Sequence, residues 1–306
     1  MRERKLSDLV DAARPDAVLD EILAIVHHID PAFKDTANIR LAFLETVRLY
    51  KGDFPGYRAC NTEYHDLRHT TDTALTMTRL IHGAVLEGHQ VDRRQIVLGL
   101  ITALFHDAGY IQKEEDLGGT GAKYTATHVE RGIDFFEEFA PDLGLSSKET
   151  ADGRAMILFT DLSVPPDEIA FETPTGEFLG RMLGAADLLA QLSDRTYLEK
   201  LLFLYREFKE AGVGGYSGER HLLEQTVEFY DAVTKRLEAT FDRCYHYMQR
   251  HLTARWNIHT NLYRKAIENQ KQYLKQILED PDTNHRNHFK RNGIVDIVRL
   301  KYGKPH

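Results

Sequence analysis

The order of apolar and polar residues along the chain predicts helices almost throughout. In residues 16–28, 36–50 and 178–209, apolar side chains recur at spacings of three and four, which is the periodicity of a helix with one buried face. No convincing run of alternating apolar and polar residues bounded by turn residues interrupts this pattern. The sequence therefore predicts an all-α fold, a bundle of many helices.

Two helix starts carry recognisable capping residues. The segment Ile96–Phe105 is almost wholly apolar, and Asp92 precedes it as a predicted N-cap. Ser146 and Glu149 have the spacing of a capping box, in which each residue bonds the backbone N–H of the other. We expect a helix to follow each of these signals.

The C-terminal part of the chain is predicted to be a long helical extension. Residues 219–280 contain neither Gly nor Pro, which allows either one extended helix or two helices with a break near Asn257. One face of this segment is marked by the apolar residues Phe229, Val233, Leu237, Phe241, Met248 and Leu252. No internal repeat, low-complexity segment or linker appears, so residues 1–306 are predicted to form a single helical domain.

Composition narrows the classes of protein to consider. The chain has 306 residues, of which 42% are hydrophobic and 28% charged, enough for a sizeable core. Its formal charge of −8 argues against broad nucleic-acid binding, which needs a basic face. The longest apolar run is about half of a bilayer span, and the first residues lack the apolar stretch of a secretory signal. Cys60 and Cys244 form no CxxC motif. These features favour a cytoplasmic protein without membrane partners.

Candidate chemistry begins where the apolar segment ends, because His106 and Asp107 follow it directly. Burying two adjacent polar side chains costs several kcal/mol when they are left unpaired. A divalent cation is the usual compensation for an imidazole beside a carboxylate. His65 and His69 stand four residues apart, which places both imidazoles on one face of a helix. They could share a metal, or one could bind it while the other handles a proton. Two solvated histidines, or two satisfied within the core, are the alternative.

Four short motifs in a fixed order resemble those of a known superfamily. They are Tyr-His-Asp-x-x-His-x-x-Asp from Tyr64, then His106-Asp107, then Thr160-Asp161, then Ala-Ala-Asp-Leu around Asp187. Together they resemble the HD-domain metal phosphohydrolases, and most closely the catalytic domain of cyclic nucleotide phosphodiesterases. The resemblance covers roughly residues 64–229. It implies a metal-binding core at approximately residues 60–210, followed by C-terminal helices at approximately 219–280.

The resemblance implies a role for each matching residue. The ligands of the tighter metal would be His69, His106, Asp107 and Asp187, and Asp107 would also bridge to a second metal. His65 would donate a proton to the departing oxygen, a role that suits an imidazole near neutral pH. Thr160 and Asp161 would orient a ligand histidine. The mixed nitrogen and oxygen ligands favour Mn²⁺, Fe²⁺ or Zn²⁺ at the tight position, and Mg²⁺ or Mn²⁺ at the second.

The sequence departs from the phosphodiesterase pattern at the second metal. Tyr110 stands where that family has a further histidine, and Asp66 stands where it usually has asparagine. His128 could compensate as a ligand, or Glu130 could hold a metal water. An ordinary interior or surface histidine is the alternative for His128.

Substrate recognition also departs from that pattern. The phosphodiesterases grip the purine with a glutamine near the end of the catalytic domain. Gln225 followed by Phe229 resembles this element, but the two residues are one position too far apart. A glutamine on a polar helix face is the alternative. The residues predicted to contact substrate are Tyr64, Gln225 and Phe229.

Three functional hypotheses follow. The first is a phosphodiesterase acting on a nucleotide-type, including cyclic, phosphoester, and the second is an HD-type nucleotidase or phosphatase acting on another phosphorylated metabolite. The third is a non-catalytic regulatory domain, which the proton donor His65 disfavours. The expected partner is a small phosphorylated or nucleotide substrate. The aromatic residues around Trp256 are interpreted as packing or as the surface of a homodimer.

Overall fold

Twelve α-helices follow one another in the computed structural model, which describes residues 4–239 and 246–303. Short 3-10 turns connect several of them, and no β-strand occurs in the described residues, so the prediction of an all-α bundle is confirmed. The helices are α1 Pro15–Ile29, α2 Ala37–Lys51, α3 Leu67–Leu86, α4 Arg93–Phe105, α5 His128–Phe139, α6 Ser147–Leu158, α7 Pro174–Ser193, α8 Tyr197–Ala211, α9 Glu219–Ala239, α10 Tyr247–Trp256, α11 Leu262–Leu278 and α12 Ile294–Tyr302.

Helix α3 lies at the centre of the bundle, where it packs against α1, α4, α7 and α10. Asp66 determines where α3 begins, because its Oδ1 accepts the backbone N–H of His69 at 2.9 Å. The helix is buried along most of its length and carries several threonines into the core. Several of their hydroxyls form hydrogen bonds locally or with neighbours, as where Thr78 donates to the Ala74 carbonyl at 2.7 Å, whereas the buried Thr73 hydroxyl has no hydrogen-bond partner among the described residues.

Both predicted helix starts are confirmed. Asp92 caps α4 by accepting the N–H of Gln95 at 2.9 Å, and Ser146 forms a capping box with Glu149 at the start of α6. The apolar segment Ile96–Phe105 is buried throughout. Helix α4 therefore carries the chain through the core and delivers its C-terminal end to the interior.

The prediction of one helix over residues 178–209 is wrong, because α7 ends at Ser193 and α8 begins at Tyr197. The Oδ1 atom of Asp194 accepts hydrogen bonds from the N–H and the hydroxyl of Thr196, both at 3.0 Å. These local bonds turn the chain and start a new helix. The apolar periodicity continues across the break, which is why it suggested one helix.

The C-terminal segment is divided into α9, α10 and α11. Asn257 takes the left-handed conformation with φ of 53° and ends α10, which confirms the alternative with a break near Asn257 and excludes one extended helix. Phe241 and Cys244 lie outside the described residues. Helix α10 packs on α3, α11 on α7, and α9 and α12 on α8. Trp256 is half-buried and packs against the core.

No described helix combines the length and the apolar character that crossing a membrane requires.

Candidate metal centre

Three packed helices bring four metal-type side chains together. His69 lies one turn into α3, His106 and Asp107 follow the end of α4, and Asp187 lies on α7. The Nε2 atom of His69 lies 3.1 Å from Asp187 Oδ1 and 3.3 Å from Asp107 Oδ2. His106 Nε2 lies 3.4 Å from Asp107 Oδ2 and 3.8 Å from Asp187 Oδ1. The structure thus brings the four sequence-predicted ligands to one point.

Three of the converging atoms are buried without a hydrogen bond: His106 Nε2, Asp107 Oδ2 and Asp187 Oδ1. His106 uses its other nitrogen, Nδ1, to donate to the Ala103 carbonyl at 2.9 Å, so Nε2 carries a lone pair. Buried acceptors that face one another repel unless a cation lies between them. Ligand atoms of His69, His106 and Asp107 lie within 4.8 Å of one another, so this buried group could hold a metal ion. Its mixed nitrogen and oxygen donors fit a first-row transition metal.

The electrostatics of the cluster favour positive charge. Burial opposes protonation of His69, but the carboxylates of Asp107 and Asp187 outweigh burial and raise the pKa of His69 to about 10. Burial likewise opposes ionisation of Asp107, but His106 and His69 hold the pKa of Asp107 well below its usual range. The two carboxylates therefore attract a cation, either a proton or a metal ion.

His65 lies beside the cluster and is oriented by a buried carboxylate. Its Nδ1 lies 2.7 Å from Glu207 Oε2. The other oxygen of Glu207 accepts the backbone N–H groups of Glu63 at 2.8 Å and Tyr64 at 2.7 Å. Glu207 is therefore held by two backbone bonds, and it fixes the ring of His65 with Nδ1 towards itself. The Nε2 atom of His65 remains on the side of Tyr110.

Tyr110 stacks against two imidazoles, whose own ring centroids lie 6.2 Å apart. Its ring centroid lies 4.2 Å from that of His65 and 4.5 Å from that of His128, with nearly parallel planes. His128 Nδ1 bonds the Thr125 carbonyl at 2.7 Å, which directs Nε2 to within 3.8 Å of Asp107 Oδ1. Burial lowers the pKa of His128, which favours the neutral ring with a lone pair on Nε2. His128 and Asp107 could therefore share a second cation.

Two glycines allow α5 to bring His128 to the centre. A Cβ atom on Gly109 would lie 1.9 Å from the His128 carbonyl oxygen, and one on Gly132 would lie 2.7 Å from the His106 carbonyl oxygen. Arg131 stabilises the contact between α5 and the segment after α4, because its side chain donates hydrogen bonds to the carbonyls of Gly109 at 2.8 Å and Ile111 at 3.0 Å. Only the absence of side chains lets the backbones meet so closely.

Residues 113–272, more than half of the chain, match a family model described as Npun_R2479-like. The chain belongs to the Npun_R2479-like family. The matched segment contains His128, Asp187 and Glu207, whereas His65, His69, His106 and Asp107 precede it. None of the curated proteins compared with the chain matches it. The family description names no reaction, so the function of this Npun_R2479-like chain is argued from its site.

Thr160 and Asp161 are not brought to the centre of this Npun_R2479-like chain. The Thr160 hydroxyl donates to the Ile157 carbonyl at 2.8 Å, and Asp161 Oδ1 accepts the N–H of Ser163 at 2.8 Å. The turn after α6 thus uses these polar groups to close itself. Within residues 4–239 and 246–303, no hydrogen bond or ion pair joins either residue to a cluster histidine. Their implied orienting role stays a prediction without a supporting contact.

The remaining predicted site residues are dispersed. Glu130 is exposed on α5, and Gln225 is exposed on α9. Phe229 is half-buried and packs against the core. Tyr64 is buried, with its ring 4.9 Å from that of His65. Asp66, besides capping α3, lies 3.0 Å from the Lys200 ammonium. Of the predicted substrate contacts, only Tyr64 lies beside the centre.

Sequence reasoning missed Glu207, which lies 142 residues from its partner His65. The motifs of the HD superfamily named above do not include it. The available signal was a glutamate four residues after Phe203, at helical spacing from that buried residue of α8. A buried position for a glutamate indicates a polar partner, although it does not identify which one.

Proposed function

We propose that the protein is a metal-dependent phosphohydrolase, and specifically a phosphodiesterase acting on a nucleotide-type phosphoester, with cyclic 3′,5′-nucleotides in that class. One observation carries the proposal. Three buried acceptor atoms without hydrogen bonds, His106 Nε2, Asp107 Oδ2 and Asp187 Oδ1, converge beside His69, and a carboxylate-oriented imidazole, His65, lies next to them. A metal site alone has no need of an adjacent, separately oriented imidazole.

Different residues of the site would bind the metal ions and donate the proton. His69, His106, Asp107 and Asp187 would hold the tight metal, which supplies an activated water and a polarised phosphoryl oxygen when bound. His65 would give a proton to the departing ester oxygen through Nε2. Glu207 accepts the Nδ1–H of His65, which fixes the orientation of the ring for that transfer. His128 and Asp107 would hold a second cation such as Mg²⁺ or Mn²⁺.

A second candidate function is hydrolysis of another phosphorylated metabolite by an HD-type nucleotidase or phosphatase. The observation that favours it is the exposure of Gln225 on α9. The purine-gripping glutamine of the phosphodiesterases therefore has no counterpart at this position beside the centre. A substrate without a recognised base would need only the metal cluster and His65.

Metal content and substrate range test the proposal together. Protein purified without chelator is analysed for Mn, Fe and Zn and then assayed with cyclic AMP and GMP, nitrophenyl phosphodiesters, and nucleoside mono- and triphosphates. We expect a transition metal and turnover of a diester. Asp107→Ala should lose both, because it removes the carboxylate that faces His69 and His106 in the cluster and His128 beside it. The control is Asp134→Ala, an exposed carboxylate on α5, which should retain both.

The outcomes separate the hypotheses. An opened diester supports the phosphodiesterase, whereas inorganic phosphate released from monoesters supports the second candidate. Metal-loaded protein that hydrolyses no ester favours the non-catalytic regulatory domain. Protein that contains no transition metal and takes none up contradicts the metal site itself.

A further inference from the structure

A small cavity lies beside His69. His69 lines it together with Tyr64, Asp72, Tyr197 and Lys200. The space open to the centre of a water molecule is ≈ 10 Å³, which is room for about one water. Its lining includes several polar and charged side chains, and polar cavities of this size hold water.

One ring nitrogen of His69 forms no hydrogen bond. Its Nε2 faces Asp107 and Asp187. Its Nδ1 forms no hydrogen bond with any described residue, although the ring lines the cavity. A metal-ligating histidine almost always donates its second N–H to a carboxylate, a carbonyl or a water. Nδ1 of His69 therefore needs an acceptor, and the cavity is where one fits.

Asp72 supplies a carboxylate at the right position. It lies three residues after His69 on α3, so the two side chains are neighbours on one helix face. Its nearest cation is Arg68, with 3.7 Å between Arg68 Nε and Asp72 Oδ2, while Arg68 makes a closer 3.0 Å bond to Asp194. Asp72 thus retains acceptor capacity.

Tyr64 adds a donor from another element. Its hydroxyl is buried beside Tyr197, and both residues line the same cavity. Burial raises the pKa of Tyr64 well above its usual value, so the hydroxyl keeps its proton and can donate it. A bound water needs two to four polar partners. Asp72, His69 and Tyr64 provide three.

We propose that this cavity binds one water that joins His69 Nδ1–H to the Asp72 carboxylate, with the Tyr64 hydroxyl as third partner. Asp72 is then a positioning residue. Through the water it holds His69 in the tautomer whose Nε2 faces the cluster and makes that nitrogen a stronger donor to a metal. The inference rests on the proposed function only in requiring that the cluster bind a metal, and it concerns affinity for that metal, not the substrate.

The test is the dissociation constant for Zn²⁺ or Mn²⁺, measured on metal-stripped protein by competition with a chromogenic chelator. Burial raises the pKa of Asp72 to about 7, so the titration is run at pH 8, where the carboxylate is ionised. Asp72→Asn should weaken binding about 10–100-fold, the usual effect of losing such a partner. Tyr64→Phe should weaken it less, because it removes one bond to the water and no charge.

The matched control is Asp194→Asn, which removes a carboxylate from the same cavity wall. Asp194 is already bonded to Arg68 and Thr196, so its loss should leave metal affinity within about twofold of the wild type. Thermal melting of the metal-free proteins establishes that each variant folds.

If Asp72→Asn binds the metal as tightly as the wild type does, the inference is overturned. Equal losses of affinity in Asp72→Asn and Asp194→Asn also overturn it, because they would reflect only the removal of a negative charge near the metal site. If Asp72→Asn does not fold, the test rests on Tyr64→Phe. Unchanged metal affinity in Tyr64→Phe then overturns the proposed water bridge. A wild-type protein that binds no metal refutes the proposed function and the inference together. Metal binding that depends on Asp72 without ester hydrolysis refutes the proposed function alone.

Discussion

His65 differs from the other histidines of the site in the partner of its ring. His69 and His106 turn Nε2 towards Asp107 and Asp187, whereas His65 gives its Nδ1 to Glu207. A ring held by a buried carboxylate keeps its orientation without help from a metal. This difference predicts that His65 can be removed without disturbing the metal.

His65→Ala should retain the metal and slow ester turnover by roughly 10²–10⁴-fold, the usual size of a general-acid contribution. The loss should shrink for nitrophenyl esters, whose leaving groups depart without a proton. Turnover and metal content are measured on the same preparation. His259→Ala is the control, because His259 is exposed and far along the chain in the C-terminal segment. Loss of metal from His65→Ala would make His65 a ligand instead.

The contact between α5 and the turn after α4 depends on glycine. Helix α5 starts at His128, and its first turns meet the backbone of residues 106–109 without intervening side chains. The position of His128 beside Asp107 is therefore a property of the two elements together. A side chain added between α5 and residues 106–109 should therefore displace the N-terminal end of α5.

Gly109→Ala should destabilise the protein by about 1–3 kcal/mol, as overpacking commonly does, because its Cβ would lie 1.9 Å from the His128 carbonyl oxygen. It should also weaken binding of a second cation. The matched control is Gly118→Ala, where the nearest heavy atom to an added Cβ is 3.9 Å away. Urea unfolding and metal titration measure both effects. Equal stability of the two variants would contradict the packing argument.

Helices α3 and α10 enclose a pair of neutral histidines. His82 Nδ1 lies 2.8 Å from His251 Nδ1, so one ring donates and the other accepts. Burial, together with the positive charge of Arg79, Arg255 and His28, lowers the pKa of His82 to about 4 and that of His251 to about 2. Glu21, a carboxylate on α1, is paired with Arg255. Within residues 4–239 and 246–303, no carboxylate forms a hydrogen bond or an ion pair with either ring.

The free energy of unfolding should therefore fall as pH decreases from about 6.5 towards 4. Over that range the unfolded histidines take up protons and the folded pair does not, which costs about 1.4 kcal/mol per pH unit for each histidine. His251→Gln should flatten this slope relative to the wild type, whereas the exposed His259→Gln should not. Urea unfolding at several pH values gives the slopes. An unchanged slope in His251→Gln would contradict this assignment.

At the scale of the whole molecule, one buried arginine ties the C-terminal end to the bundle. Arg286 is 1% exposed and bonds both oxygens of Glu219 on α9, at 2.5 and 2.8 Å. It also donates to the carbonyl of Gly303, just after α12. Burial opposes ionisation of Glu219, but His285 and Arg286 lower the pKa of Glu219 to about 2. Lys301 of α12 reaches Glu63, two residues before His65.

Arg286→Met should cost about 3–5 kcal/mol of stability, because it leaves a buried carboxylate without its main partner. Arg299→Met, which breaks an exposed pair with Asp296, should cost less than about 1 kcal/mol. Thermal and urea unfolding measure both variants, and we expect a single cooperative transition. Similar stability of the two variants would mean that Arg286 does not hold the C-terminal end in place.

The amino-acid sequence by itself determined the local structure of this protein. The all-α class, the helix starts at Asp92 and Ser146, and the break near Asn257 could be predicted because periodicity and capping depend on neighbouring residues. The polar pair His106-Asp107 at the end of an apolar helix indicated the buried centre, and the resemblance supplied its other ligands. The break at Asp194 could not be predicted, because apolar periodicity runs through it.

Only the tertiary structure decided which distant side chains meet. Glu207 reaches His65 because α8 packs beside the segment before α3, and no spacing in the sequence encodes that packing. His128 stacks on Tyr110 because two glycines let backbones touch, whereas Thr160 and Asp161 fold into their own turn instead. Such contacts depend on how helices pack across the core. A pattern that repeats every three or four residues carries no information about which helix lies opposite.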